Sequence, residues 1–166
     1  MKADEGAEYD EQEEINLSEL EPMIAQPSSP GNVVPVRKIA GESVSQVVVG
    51  SSANPGLRDF WIVAEIVKDK FISPDVSLDV NPSSRQVLNN LTRMGALGSL
   101  ISAGARIHQS GCMGCIGMGQ APASNANSLR TFPRNFPGRS GTLDDKVFLC
   151  SPETAAASAL TGVITD

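Results

Sequence analysis

Apolar residues follow two rhythms along this chain. Gln46–Val49 carries a run of consecutive valines, the β-branched pattern of a strand buried on both faces. The run stops at Gly50-Ser51-Ser52-Ala53-Asn54-Pro55-Gly56, a polar loop. Beyond it Phe60, Val63 and Val67, joined by Ile62 and Ile66, recur at helical spacing and predict an amphipathic helix. Val76–Val80 predicts a second strand. Ser83-Ser84-Arg85-Gln86 has the form of a capping box, and Val87, Leu88, Leu91 and Met94 then repeat helically. Gly98–Ala103 predicts a short helix and Ala105–His108 a third strand. Lys146–Leu149 predicts a further strand. After it, Ser151-Pro152 supplies an N-cap and a proline at the first helical position of an alanine-rich helix over 152–161.

The first part of the chain reads differently. Residues 1–13 form an arm. Ile15 and Leu17 alternate with polar neighbours and predict a short edge strand over 14–20. Pro22, Pro27, Pro30 and Pro35 exclude a helix interior from 22–36, which reads as an extended surface connector. The organisation expected is therefore an acidic arm and proline-rich connector over 1–36, then one domain over 37–166. In that domain strands and helices alternate, the signature of an α/β fold with a mostly parallel sheet flanked by helices in three layers. Such sheets bind ligands beyond the carboxyl ends of their strands. The loops at 50–56 and 111–122 fall at that edge.

Composition narrows the class. The chain has 166 residues, 40% hydrophobic and 19% charged, with only 4% aromatic, so Val, Ile, Leu and Ala must build the core. No apolar run is long enough to span a bilayer, and the start lacks the basic and apolar regions of a secretion signal. A cytoplasmic location without membrane contact is the expectation. Of the formal charge of −6, residues 1–21 hold −8 and the remainder +2. The acidic start reads as a solvated segment. Arg130, Arg134 and Arg139 lie close together in the near-neutral body and could receive an anion. A nucleic-acid partner is not expected, because the chain has no long basic stripe and no aromatic platform.

The candidate chemistry sits at Gly111-Cys112-Met113-Gly114-Cys115-Ile116-Gly117-Met118-Gly119-Gln120. Two thiols at this spacing can grip one metal centre. A redox dithiol normally starts a helix, where the dipole favours thiolate, and Gly114, Gly117 and Gly119 oppose one here. A zinc site needs further Cys or His ligands, and His108 is the only histidine and Cys150 the only other thiol. An inert structural pair is the bland alternative. His108, in an apparent strand, reads as packed or hydrogen-bonded rather than as a base, and Cys150 as a small hydrophobe. Arg134 and Arg139 are fixed by Pro133, Pro137 and Gly138, and guanidinium groups bind carboxylates in bidentate fashion. Two rigid arginines near a metal loop suit a di- or tricarboxylate; taken singly, each reads as a solvated loop residue.

Cys112-Met-Gly-Cys115-Ile-Gly, Arg134-Asn135-Phe136-Pro137-Gly138-Arg139 and Ser151-Pro152-Glu153 before the alanine-rich helix resemble the aconitase and isopropylmalate isomerase superfamily. Asn81-Pro82-Ser83-Ser84-Arg85-Gln86-Val87-Leu88, Ala103-Gly104-Ala105-Arg106-Ile107 and the lead-in at 14–22 and 31–36 fit as well, so the resemblance runs through almost the whole chain. It implies the third domain of such an enzyme. It also implies a [4Fe–4S] cluster held by three cysteines, whose open iron acts as a Lewis acid in dehydration and rehydration. By the same resemblance Cys112 and Cys115 hold iron, and Arg134 and Arg139 bind substrate carboxylate, with a catalytic role for Arg134. The resemblance also places Asn54 and Gln120 near the centre, as further substrate-binding residues.

Two positions depart from the family pattern. Where it reads Gly-Ser-Cys-Thr-Asn, this chain reads Gly50-Ser51-Ser52-Ala53-Asn54, which puts Ser52 at the third metal-ligand position. A serine oxygen is harder and far less acidic than a thiolate. Pro133 replaces the asparagine usual beside the first arginine. The resemblance also implies further domains, in cis or in trans, carrying the catalytic serine and the acid–base groups. The expectation is one domain of a hydro-lyase for a hydroxylated di- or tricarboxylate of the citrate and isocitrate type, inactive alone. The rivals are a binding domain that has lost the cluster and a zinc or redox CxxC module.

Overall fold

A computed structural model describes residues 3–166. Seven strands form one sheet: β1 (Met23–Ala25), β2 (Val33–Pro35), β3 (Gln46–Gly50), β4 (Ser77–Asn81), β5 (Arg106–Ile107), β6 (Asn127–Arg130) and β7 (Lys146–Leu149). Four helices accompany them: α1 (Leu57–Val67), α2 (Arg85–Arg93), α3 (Ala96–Ala103) and α4 (Pro152–Thr161). The strand order is β2-β1-β7-β6-β3-β4-β5. Strands β3 to β7 pair in parallel, and β1 pairs antiparallel with β2 and β7. The expected α/β class with a mostly parallel, helix-flanked sheet is what the chain forms.

The elements form for local reasons. In α1, Phe60, Val63, Ala64 and Val67 are the buried stripe, so the 3.6-residue pattern reads true. Ser151 Oγ accepts from the Thr154 N–H with Pro152 at the first turn, the cap expected for α4. The capping box before α2 is displaced by one residue. Ser84, not Ser83, is the N-cap, and it accepts from the Val87 N–H at 3.2 Å. That places Val87, an apolar residue, where the box needs Gln.

Three readings of the chain are corrected. Residues 14–20 are not a strand: Leu17–Glu19 is a 3-10 turn capped by Asn16, and residues 3–20 are exposed. Alternation of Ile15 and Leu17 carries no strand where no neighbouring strand receives it. The proline-rich segment 22–36 is not only a connector. It holds β1 and β2, whose Met23–Pro35 and Ala25–Val33 pairs close an antiparallel hairpin on the β7 edge. Prolines are tolerated there because the hairpin is the margin of the sheet. The sheet therefore draws strands from both sides of residue 36. Last, the apolar pattern marks no strand at 127–130, yet β6 lies there, between β3 and β7. Its sequence Asn-Ser-Leu-Arg is polar, yet Ser128, Leu129 and Arg130 are all fully buried.

The two faces of the sheet are covered differently. Val47 and Val49 of β3, Leu78 and Val80 of β4, Leu129 and Phe148 share one apolar core with residues of all four helices. The alternate positions Gln46, Asp79, Asn81, Ser128 and Arg130 point to the other face, beneath the loop layer, and are buried as well. The chain steps outward from β3 to β4 to β5, then returns past both to reach β6. A right-handed crossover in that reversed direction must run over the opposite face. The returning segment is the cysteine loop, which is why it covers the polar face.

Candidate functional site

At the carboxyl ends of β3 and β6 the chain leaves neighbouring parallel strands in opposite directions, toward β4 from one and toward β7 from the other. That is the topological switch point where open α/β sheets form a crevice. A cavity of about 180 Å³ lies there, lined by Ser51, Ser52 and Ala53 after β3, by Phe132, Pro133, Arg134 and Arg139 after β6, and by Cys112 and Cys115. Five of the residues singled out from the sequence, Ser52, Cys112, Cys115, Arg134 and Arg139, thus share one cavity. The loop after β6 is a third wall at this edge, one that the polar pattern of 127–130 does not reveal.

Each wall is fixed by its own bonds. Buried Ser51 Oγ donates to the Asn54 carbonyl at 2.7 Å and accepts from the Ala53 and Asn54 N–H groups. Asn54 Nδ2 donates to the Thr131 carbonyl at 2.9 Å, which ties the β3 loop to the exit of β6. Asn54 therefore shapes the site without lining it. Gly50, at φ +115°, lies so close to Asn81 that any Cβ would fall on its carbonyl oxygen. Gly117, at φ +76°, allows the cysteine loop to rest against the Ser140 backbone in the same way. Asn135 Nδ2 donates to the Gln26 and Val147 carbonyls, anchoring the arginine loop to the hairpin edge.

Arg130 is removed from the anion-binding group expected of the three arginines. It is fully buried, and each of its three guanidinium nitrogens donates inside the protein. Nε donates to Ser128 Oγ, Nη1 to the Gly114 carbonyl at 2.7 Å, and Nη2 to Gln46 Oε1 and to the Gln120 carbonyl at 2.6 Å. Its guanidinium also sits 5.4 Å from the Phe132 ring centroid. Burial pulls it down to about 10, against the opposing charges of Asp145 and Asp79, so it stays charged at neutral pH. It pegs the cysteine turn at two points, its middle at Gly114 and its end at Gln120. Gln120 is buried and its side-chain amide has no partner, so it too lies behind the turn rather than in the cavity.

His108 behaves as the sequence suggests. Its Nε2 lies 2.8 Å from Oδ1 of fully buried Asp79, which also accepts from Arg106 Nη2 at 2.9 Å. Cys150 is free and packs against the apolar core; burial pushes its thiol up to about 12.

Cys112 and Cys115 are joined in a disulfide, with Cα atoms 5.8 Å apart. Cys112 is exposed, Cys115 is buried, and Arg139 Nη2 lies 3.9 Å from Cys115 Sγ. The residues fit an iron–sulfur group by place at three positions, since Ser52 faces the cysteines across one cavity. By chemistry they fit at two, the thiolates released when the disulfide opens, with a hydroxyl at the third. Among the described residues no cluster of three or more His, Cys, Asp or Glu could hold a metal, and no helix is long and apolar enough to cross a membrane.

The chain matches the family described as the aconitase family (aconitate hydratase) over residues 1–162. It is 40% identical over 168 residues to the 3-isopropylmalate dehydratase large subunit 1 of Methanopyrus kandleri, covering 100% of this chain and 40% of that protein. It is 35% identical over 167 residues to the large subunit 2 of Archaeoglobus fulgidus, again covering 100% and 40%. With the large subunit from a Sulfurihydrogenibium species the identity is 41% over 165 residues, covering 98% and 38%. The chain spans about 40% of the length of the curated relatives it matches. A crevice at the switch point, with both arginines and the CxxC turn on its walls, accords with these matches over nearly every residue: the chain belongs to the aconitase family.

Proposed function

We propose that this chain is the metal- and carboxylate-binding part of a larger hydro-lyase that moves a hydroxyl between adjacent carbons of a dicarboxylate by loss and re-addition of water. One observation carries the reading: Arg134 and Arg139 open into the same cavity as Cys112, Cys115 and Ser52. The relatives named as 3-isopropylmalate dehydratases favour an alkyl-substituted malate over the citrate and isocitrate type. Phe132 and Pro133, which give the cavity an apolar wall, suit an alkyl group. The remaining part of the enzyme would be supplied in cis or as a partner subunit, in the cytoplasm.

The residues divide the work. Arg134 and Arg139 each offer a planar pair of donors to a carboxylate, which fixes the substrate at both ends and orients its hydroxyl. Arg134 is exposed at the mouth, and Arg139, half-buried beside Cys115, binds deeper. An iron–sulfur cluster on the Cys112 and Cys115 thiolates, with Ser52 at the third position, would supply Lewis acidity toward the departing hydroxyl. No lining residue is a carboxylate or histidine, so the group that takes the carbon-bound proton would come from the rest of the enzyme.

Anaerobic reconstitution of the reduced chain with iron and sulfide tests this. The wild type should bind iron weakly. Ser52→Cys, which completes a three-thiolate set, should raise bound iron and visible absorption several-fold, and Cys112→Ser should abolish both. Iron uptake indifferent to Cys112, or absent even in Ser52→Cys, overturns the metal assignment. Ser52 and the paired cysteines are the features that favour the rival, a carboxylate-binding domain without a cluster. Carboxylate binding that depends on Arg139, with no iron uptake, would establish it.

A further inference from the structure

We infer that residues 14–18 are a docking strand, which adds to an open sheet edge in the part of the large subunit outside this chain, over an apolar surface rimmed with basic groups. The inference rests on the reading of the chain as one part of a larger enzyme, and not on iron or on turnover.

The arm carries a pattern that this chain leaves unused. Ile15 and Leu17 alternate with polar Glu14, Asn16 and Ser18, and Tyr9 falls in the same phase. Yet Tyr9, Ile15 and Leu17 are 57%, 66% and 76% exposed. Among the described residues, the backbone bonds of 3–20, Ala7 N–H to the Asp4 carbonyl and Glu19 N–H to the Asn16 carbonyl, stay within the arm. The turn at Leu17–Glu19 is held by the second of these and by the Asn16 side chain, and Asn16 already has extended backbone. A neighbouring strand offers the same groups ladder bonds instead. The root of the arm is fixed, by contrast. Glu21 pairs with Arg37, and the Val36 N–H donates to the Pro22 carbonyl at 3.0 Å. The arm thus leaves the body at one place, the hairpin margin of the sheet.

Three observations select the occupant. The sheet of this chain offers the arm no adequate edge. The marginal strand β2 has three residues and ends in Pro35, which has no N–H, and β5 has two residues. A second copy of the chain has the same two margins. Charge points the same way. Glu8, Asp10, Glu11, Glu13, Glu14 and Glu19 lie on the arm with no base between them, against a body of only +2. The receiving surface therefore carries basic groups that this body lacks. The relatives' large subunits have room for it, since the chain spans about 40% of their length. A strand from Glu14 to Ser18 is about 17 Å long. It buries Ile15 and Leu17 and turns Glu14, Asn16 and Ser18 outward. In strand addition the main chain supplies affinity and the alternate side chains supply register.

Hydrogen exchange tests this on two metal-free proteins. One is this chain alone, and the other is the Methanopyrus kandleri large subunit with this chain in place of the region it matches. Amides 14–18 should exchange at unstructured rates in the chain alone and at least about a hundredfold more slowly in the fused protein. Ile15→Asn together with Leu17→Asn should remove that protection, while leaving the urea midpoint of the chain alone unchanged. Ser18→Thr, on the outward face, should keep the protection. Glu11→Lys together with Glu13→Lys should lower it about tenfold at low salt, and by less in salt of about 1 M, where the screening length is roughly 3 Å. Three results overturn the inference. One is amides 14–18 unprotected in a fused protein whose β3 and β4 amides are protected. The second is protection indifferent to Ile15 and Leu17. The third is protection in the chain alone that grows with its concentration, which would make a second copy the occupant. Exchange is read without iron or substrate, so failure of iron uptake, which overturns the metal assignment, is separate from failure of the docking strand.

Discussion

On the helix-covered face of the sheet, Val47, Val49, Leu78, Val80, Leu129 and Phe148 meet helices that contribute Phe60, Leu91, Leu100 and Ala156. On the loop-covered face the same strands turn Gln46, Asp79, Asn81, Ser128 and Arg130 inward, equally hidden from water. The first face is held by removal of apolar surface, a non-directional term of about 2 kcal/mol per large side chain. The second is held by directed bonds, because a buried polar group without a partner costs more than a made bond returns. The difference suits their tasks. The apolar face needs only volume and pattern, whereas the polar face must set the cysteine turn at one place relative to the arginine loop, and directed bonds do that.

The comparison can be broken first at Arg130. Arg130→Met removes the bonds to the Gly114 and Gln120 carbonyls, to Gln46 Oε1 and to Ser128 Oγ, and so strips buried acceptors of a charged donor. An unpaired buried polar group costs about 1–3 kcal/mol, so the loss of several such bonds should cost roughly 3 kcal/mol or more. The urea midpoint should fall accordingly, and amides of the cysteine loop should exchange faster than those of α1. A midpoint unchanged within error would show that the loop face is not held by this peg. On the other face, Leu78→Ala should cost about 3 kcal/mol while leaving the exchange of the cysteine loop unaltered relative to global unfolding. Equal loosening of both faces would merge the two regions into one unit.

The smallest effect separates the thiols of the two faces. With its thiol pushed up to about 12, Cys150 carries little thiolate at pH 8 in the folded chain. Cys150 is half-buried against the core, so iodoacetamide should label it about tenfold more slowly than an ordinary cysteine, and labelling should become normal in urea. Its proton is held more tightly in the folded state. Raising the pH through the ordinary thiol range toward 12 should therefore lower stability, as the unfolded chain ionises first. Rapid native labelling of Cys150 would place it outside the apolar core.

Much of the fold was legible because the helix face obeys the periodicities. The valines of β3, the stripe of α1 and the Ser151-Pro152 start of α4 need no tertiary knowledge. The loop face was illegible for the same reason inverted. Asn127-Ser128-Leu129-Arg130 reads as a polar stretch, and only the partners Gln46, Gly114 and Gln120 make its burial tolerable. The hairpin at 23–35 hid behind prolines, which a sheet margin accepts and a sheet centre would not.

By itself, then, the amino-acid order determined the α/β class, the family, and the residue types on offer: two thiols, a serine at the third position, and two arginines. These are local properties, spacing and chemistry, that survive without a fold. Tertiary structure alone decided that Ser52, Cys112, Cys115, Arg134 and Arg139 share one cavity, while Arg130 and Gln120 stand behind it. It also decided that the cysteines are joined to each other. The physical reason is the return from β5 to β6, which carries the cysteine loop across the sheet to the point where β3 and β6 diverge. Neither strand order nor crossover is written in any local stretch of sequence.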